Sequence, residues 1–415
     1  MLLNSSRPYI CLRCLSGSSR SFSASAHYFR PELRKPFIPP YPAPSGCVEL
    51  PRRVISLHGD DAPKFLQGLI TANVAPPSSH PQSPFYTAFL SAQGRVLYDA
   101  FIYPMIGPRP KTQFGDDQWP DILGYDSMQE HGYLIDVDGQ SASSLLTHLK
   151  RHKLRAKVKV RLLDEDDVEM WSTWHGDSDQ PTHERYPSPP ISQMLYAADT
   201  RAAPLGRQLF AHRYMVPQRN CCTICDFNHL GEVEPADYNL RRYFYGVPEG
   251  QDELQYDSAL PHQSNIDLMG GIDFRKGCYV GQELTIRTQH TGVVRRRILP
   301  IQLYDKSSAE PPSLEYNPDW KQPTPPKDAS MSKVDSKGRS IGKFLSGIGN
   351  IGLGLCRIEA MTDVAVSAEG ATFKAGDRFK VTWEGDEGSE TGVKAFVPEW
   401  LKSRLPEVKP ARRVD

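Results

Sequence analysis

Along most of the chain, apolar and polar positions fall into short runs, broken by a few stretches with helical spacing. Residues 48–50 and 54–57 are apolar runs bounded by proline, arginine and glycine, which predicts two short strands. Gly59-Asp60-Asp61-Ala62-Pro63 then opens a helix, with acidic residues at its start and proline in the first turn. Phe65, Leu66, Leu69 and Ile70 give that helix one apolar face. Residues 85–90 and 96–103 read as two strands around Ser91-Ala92-Gln93-Gly94, a connection whose closing glycine suits a hairpin. A strand over 133–137 follows. Next come a helix over 141–152, with Leu145, Leu146 and Leu149 at helical spacing, and a strand over 158–162. Residues 238–245 form a helix ending at Gly246, with Pro248 just beyond. After Gly292 the texture becomes strands and glycine turns, at 293–303, 338–345, 352–359 and 379–383. The pattern predicts an α+β body followed by a small C-terminal β-barrel.

Two proline-rich polar stretches interrupt this order, at 176–190 and 305–336, and both are expected to be surface loops with little fixed structure. The expected organisation is a leader over 1–30, a proline-rich linker over 31–46, the body over 47–290 and the barrel over 291–405, carrying the 305–336 insertion. The leader holds Arg7, Arg13, Arg20 and Arg30, many serines and no acidic residue before Glu32. That is the composition of a mitochondrial transit peptide, and Arg20-Ser21-Phe22 before Ser23-Ala24-Ser25 resembles a matrix-protease cleavage site. The expected location is the mitochondrial matrix.

Lysine plus arginine (49) equals aspartate plus glutamate (49), so the chain carries no net charge to neutralise phosphates, and general nucleic-acid binding is not expected. The most apolar segment, 341–360, is interrupted by glycines, Lys343 and Arg357, so it reads as barrel strands and not as a membrane span. Of the eight cysteines, Cys11 and Cys14 lie in the leader, and Cys47 and Cys356 are isolated. Cys221, Cys222 and Cys225, followed by His229, make half a zinc ligand set at most.

The remaining thiol, Cys278, stands in Lys276-Gly277-Cys278-Tyr279-Val280-Gly281-Gln282-Glu283. Glycine allows close backbone approach, Lys276 is a cation near the thiol, and Gly281-Gln282-Glu283 reads as a helix start. No histidine stands within a few residues to make a Cys–His pair, the nearest later one being His290. These residues alone fit either a buried inert cysteine or a ligand thiolate.

The eight-residue segment resembles the K-G-C-[FY]-x-G-Q-E signature of the YgfZ-type, GcvT-like folate-binding family. Further segments stand in that family's order. They include Phe65-Leu66-Gln67-Gly68 with Thr71 and Asn73, Gly94-Arg95-Val96-Leu97-Tyr98-Asp99, and Leu154-Arg155-Ala156-Lys157-Val158. Asp199-Thr200-Arg201, Gly246-Val247-Pro248-Glu249-Gly250 and Gly352-Leu353-Gly354-Leu355-Cys356-Arg357 continue it. The resemblance implies the T-protein (aminomethyltransferase) fold with a tetrahydrofolate-sized central cavity. With the leader, it implies a mitochondrial factor that helps to form [4Fe–4S] clusters on enzymes such as aconitase and lipoate synthase. The implied partners are A-type carrier proteins of the ISCA class, with Cys278 holding a shared [2Fe–2S] cluster. Such clusters take four ligands, so the partner must supply the rest. Lys276, Gly277, Tyr279, Gly281, Gln282 and Glu283 would complete the cluster- or partner-binding segment.

The competing expectation is folate-dependent aminomethyl or one-carbon transfer. Gln67, Arg95 and Asp99 are then candidate folate-binding residues, each equally suited to a surface or capping role. That reaction needs a carboxylate near the folate nitrogen. Asp136 and Asp138 are the nearest candidates, and both also fit turn or cap positions.

Overall fold

The structure, a computed structural model, describes residues 43–74, 83–105, 132–165, 168–175, 194–202, 207–212, 231–334, 340–384 and 389–406. The leader, most of the proline-rich linker, the 176–190 stretch and the Cys221/Cys222/Cys225/His229 group lie outside the described residues.

Strands β1 (Ser45–Leu50), β2 (Arg52–His58), β3 (Phe85–Leu90), β4 (Val96–Met105), β5 (Gly132–Asp138) and β6 (Lys159–Leu162) come first in the chain. Helix α1 (Ala62–Gln67) follows β2, and α2 (Ala142–Lys153) precedes β6. Five of the strands form an antiparallel sheet in the order β3-β4-β5-β2-β6. A second sheet, β1-β7-β9-β8, is completed by β7 (Val168–His175), β8 (Met194–Ala198) and β9 (Arg207–His212).

Strand periodicity divides the first sheet's side chains between two cores. Ile55, Leu57, Phe89, Ala100, Ile102, Ile135 and Val137 pack beneath α1 and α2. The alternate positions Val54, Tyr86, Ala88, Phe101, Tyr103 and Leu134 face Met170 and Trp174 of β7. Arg52, Asp99 and Asp136 share this second face at even spacing from Val54, Phe101 and Leu134, so three charges point into the space between the sheets.

Helices α3 (Pro235–Phe244) and α4 (Gly250–Glu253) lead to α5 (Gln282–Thr291). The barrel closes as β10-β13-β12-β11-β14-β15 from β10 (Arg296–Tyr304), β11 (Ser330–Lys333), β12 (Gly342–Ile348), β13 (Ile351–Arg357), β14 (Phe379–Thr382) and β15 (Glu390–Ala395). Two short helices, α6 (Ile358–Met361) and α7 (Glu399–Arg404), flank the last strands. Leu299, Ile301, Met331, Phe344, Phe379, Val381 and Val393 fill the interior. Leu240 and Tyr243 of α3 pack on Ile351 and Leu353, joining barrel to body.

The expectation of a loosely structured 305–336 insertion is corrected. Residues 330–333 are a barrel strand, and Tyr316 and Ala329 are buried. Asn350 holds the stretch from both sides: its Oδ1 accepts the Asn317 N–H at 2.8 Å and its Nδ2 donates to Glu315 O at 2.9 Å. Prolines donate no hydrogen bond, so side chains fix this segment where a strand ladder would otherwise do so. That order has no period to read in the sequence.

Candidate functional site

The cysteine segment is a loop followed by α5, and its geometry starts from Gly281. This residue has φ +79°, the left-handed conformation that starts α5 at no steric cost. A β-carbon there would lie 2.2 Å from Ser91 O and 2.9 Å from Leu90 Cβ. Gly94, at φ +78°, faces it from the β3–β4 turn. The two glycines therefore let the hairpin turn and the loop touch backbone to backbone.

Most of the remaining signature residues turn inward. Gln282 accepts the Tyr279 N–H through Oε1, closing the first turn. Val280 N donates to Gly68 O at 3.0 Å. Tyr279 is buried, and the Lys276 ammonium lies 4.9 Å from the centre of its ring. Lys276 Nζ donates to three backbone carbonyls: Gln67 O (2.8 Å), Ile70 O (2.6 Å) and Ala72 O (2.8 Å). Burial lowers this ammonium to about 8, with Asp273 acting in the opposite sense.

Lys276, expected as a cation near the thiol, directs its donors at the first-helix segment. Its three N–H bonds are committed to the turn after α1, so it acts as a clamp. Gln67 belongs to the same device. Its side chain donates to Asn73 Oδ1 and accepts from Val74 N, which shapes the loop whose carbonyls surround Lys276. Asp273 N→Thr71 O (3.0 Å) and Thr71 Oγ1→Gly271 O (2.6 Å) complete the seam. The first-helix segment and the cysteine segment, about two hundred residues apart, thus form one unit.

Gly277, Cys278 and Glu283 are the signature residues left exposed. Among the described residues, nothing lies within 4 Å of a β-carbon built on Gly277, so the space at that position, next to the cysteine, is open. His290 stands eight residues into α5 from Gln282, about 12 Å along the axis. Cys47 and Cys356 are buried. Among the described residues no group of three or more His, Cys, Asp or Glu side chains could hold a metal ion.

The second polar feature lies between the two sheets. Arg52 Nε donates to Asp136 Oδ1 at 2.6 Å, and its Nη1 reaches Glu249 Oε1 at 3.1 Å. Arg201 forms a fork on Asp199 at 2.9 and 2.7 Å and also reaches Glu249 at 2.6 Å. Tyr238 donates to the same Glu249 oxygen at 2.8 Å, and Arg242 forks onto Glu253 at 2.8 and 3.0 Å. Burial alone would raise Glu249, but Arg201, Arg52 and Arg242 hold its carboxyl well below the usual range. Burial raises Asp136 to about 6, and its Oδ2 has no hydrogen-bond partner among the described residues. Burial likewise raises Asp99, which accepts from Gly250 N and Tyr86 OH.

A cavity of about 360 Å³ opens onto this centre, lined by Arg52, Tyr238, Arg242, Glu249, Glu253 and Ser346 among others. Its volume lies in the range of small-ligand sites. The candidate folate residues are not gathered there. Asp99 touches the lining through Gly250, whereas Gln67 lies under the lysine clamp. Arg95 is exposed on the hairpin and donates to Ser258 O. Asp138 is a cap, accepting from Gln140 N and Gln251 N. Asp136 is not a turn or cap residue: it is a fully buried strand residue paired with Arg52. Sequence reading missed Arg52, Glu249 and Arg201 as one centre, although charges inside strand-like runs, such as Asp99 and Asp136, were an available signal.

The C-terminal β-barrel domain described for CAF17 matches residues 295–403. A Coccidioides immitis protein titled "Iron-sulfur cluster assembly factor IBA57 homolog, mitochondrial" is 42% identical over 412 residues, covering 95% of this chain and 91% of its own. Proteins with the same title from Pyricularia oryzae (43% identical, 85% of this chain and 84% of theirs) and Neurospora crassa (41%, 97% and 90%) are similarly close. Among solved structures, the glycine cleavage system aminomethyltransferase T from Bartonella henselae superposes with a TM-score of 0.57 at 12% identity, covering 88% of each chain. At that identity the superposition establishes a shared fold, the α+β architecture with a closed C-terminal barrel.

Proposed function

We propose, for a chain that belongs to the IBA57 family of iron–sulfur cluster assembly factors, that Cys278 is one ligand of a cluster completed by a second protein. The proposed place of action is the mitochondrial matrix, as the acid-free, arginine-rich leader and the relatives' titles suggest. The proposed task is maturation of [4Fe–4S] enzymes of the aconitase and lipoate synthase type. The proposed partner is an A-type carrier of the ISCA class, and the shared group is a [2Fe–2S] cluster in transit.

One observation carries this reading. In a segment whose Lys276 and Gln282 side chains are bonded inward, the thiol stands exposed, as do Gly277 and Glu283. Fe–S clusters need four ligands, and no described cluster of ligating side chains surrounds Cys278. A lone exposed thiol on a rigid loop suits a shared site, because the partner's thiolates can approach from the open side.

Anaerobic reconstitution with an A-type carrier, followed by visible absorption and circular dichroism, tests this. A cluster spectrum that requires both proteins and disappears with Cys278→Ser is expected. In cells lacking the wild-type protein, Cys278→Ala should fail to restore aconitase activity and protein lipoylation. Full restoration by that variant would sink the proposal. Because Cys278 is exposed, both variants should melt like the wild type.

The cavity beside Asp99 supports a second reading, binding of tetrahydrofolate as cofactor or as one-carbon acceptor. The arginines there are already forked onto protein carboxylates, so a folate carboxylate would have to compete with them. Calorimetric titration of tetrahydrofolate into wild type and Asp99→Asn decides it: no heat of binding removes the reading.

A further inference from the structure

From Lys150 to Leu163 the chain carries Lys150, Arg151, Lys153, Arg155, Lys157, Lys159 and Arg161, with no acidic residue. In a protein of zero net charge this is a concentrated positive patch. Structurally it spans the end of α2, a tight turn and the edge strand β6. Cations in the last turn of α2 suit the helix dipole, but Arg155, Lys157, Lys159 and Arg161 lie beyond it. Burial first, with smaller contributions from His152 and Arg151, pushes His148 on the same helix down to about 4. Among the described carboxylates, Asp61 accepts the Lys157 backbone N–H, and Asp164 lies past the far end of β6, 3.7 Å from Arg161; Lys159 and Arg161 have further partners.

At the centre of the patch stands Leu154, 88% exposed. Ala156 N donates to Lys153 O at 2.8 Å, so 153–156 is a closed turn with Leu154 in its first central position. Its φ of +44° and ψ of −111° belong to a type II′ turn, which glycine takes freely and side chains with a β-carbon resist. The turn therefore accepts backbone strain to hold a large apolar side chain in water, ringed by cations.

We propose that this turn attaches the protein to an anionic phospholipid bilayer, with Leu154 inserting at the headgroup boundary and the surrounding lysines and arginines facing lipid phosphates. An apolar knob plus a polybasic ring supplies the two weak signals that together hold a peripheral protein on a membrane. A protein partner would favour the three arginines, but the four lysines are of a type depleted at protein interfaces and leucine is under-represented among their hot spots. A nucleic-acid backbone would contact the cations but leave the leucine without an apolar environment. The patch lies near the functional loop. The turn meets the start of α1 through Asp61, and Lys276 grips the other end of that helix, about 9 Å along its axis.

The test is co-sedimentation of the full chain with phosphatidylcholine vesicles, with and without one phosphatidylglycerol in five lipids, at low and raised salt. Binding should require the anionic lipid and weaken with salt. Leu154→Gly should reduce the partition coefficient by about tenfold while leaving the melting temperature unchanged or higher, because it relieves the turn. A purely structural leucine would instead lower the melting temperature. K153Q/R155Q/K157Q together should cost about a hundredfold, at roughly fivefold per cation. No sedimentation with anionic vesicles overturns the proposal, as does binding that both variants leave unchanged. Equally tight binding to duplex DNA that ignores Leu154→Gly would assign the patch to nucleic acid and overturn it too.

Discussion

Lys276→Met separates the two roles open to the lysine two positions before the cysteine. The substitution keeps an unbranched side chain one atom shorter and removes the ammonium from the carbonyls of Gln67, Ile70 and Ala72. Hydrogen bonds to a charged group contribute roughly 1.5–3 kcal/mol each in mutational series. Part of that is offset because methionine no longer has to desolvate a cation, and water can reach a half-buried site. A net loss of about 3 kcal/mol is expected, equivalent to about 6–12 °C in the melting midpoint of a domain of this size. Lys276→Arg should recover little, because a planar fork cannot direct three donors at three converging carbonyls. Differential scanning fluorimetry measures the loss, and the rate of Cys278 alkylation by iodoacetamide supplies the independent readout. If Lys276 is a clamp, melting falls and alkylation does not slow, since the loop loosens around an already exposed thiol. An unchanged melting temperature with clearly slower alkylation would refute the clamp and restore the ammonium as the thiol's activator.

The two glycines beside the thiol should behave oppositely. Gly281→Ala places a β-carbon 2.2 Å from Ser91 O in a left-handed backbone and should cost about 3 kcal/mol, read as a lower melting temperature. Gly277→Ala meets nothing within 4 Å and should melt normally while weakening carrier binding in a pull-down; normal carrier binding would contradict the proposed approach from that side. A third expectation concerns pH. Asp136 titrates at about 6 in the folded protein, above the value of roughly 3.9 for an unfolded chain, so its contribution to stability is full below the unfolded value and lost as pH rises through 6. The melting temperature of wild type minus that of Asp136→Asn should therefore fall between about pH 4 and pH 7, and a constant difference would show that the carboxyl is not perturbed by burial.

The residues around Cys278 show how far local pattern reaches. The helix start at Gly281 and the hairpin around Gly94 were both readable, because each depends on residues within a few positions. Proximity along the chain pointed Lys276 at the thiol, whereas the hydrogen-bond acceptors of its ammonium lie more than two hundred residues earlier. Of the candidate cavity residues Gln67, Arg95 and Asp99, Asp99 reaches the cavity lining through Gly250, whereas Gln67 bonds within the turn after α1 and Arg95 to Ser258 O. Residues 305–336 looked unstructured because prolines and polar residues have no period, yet Asn350 and a barrel strand order them.

By itself, the sequence determined the local conformations: the alternation that makes β2, β4 and β5 two-faced, the left-handed glycines, and one cysteine in a signature loop. Those follow from sterics and periodicity, which act over a few residues. Tertiary structure alone decided which distant faces meet. It brought Arg52, Asp136, Arg201 and Glu249 into one buried centre and seated Lys276 on the turn after α1. Strand order and packing are long-range choices, made by burying apolar faces against each other, and no local spacing encodes which carboxylate a buried guanidinium will find.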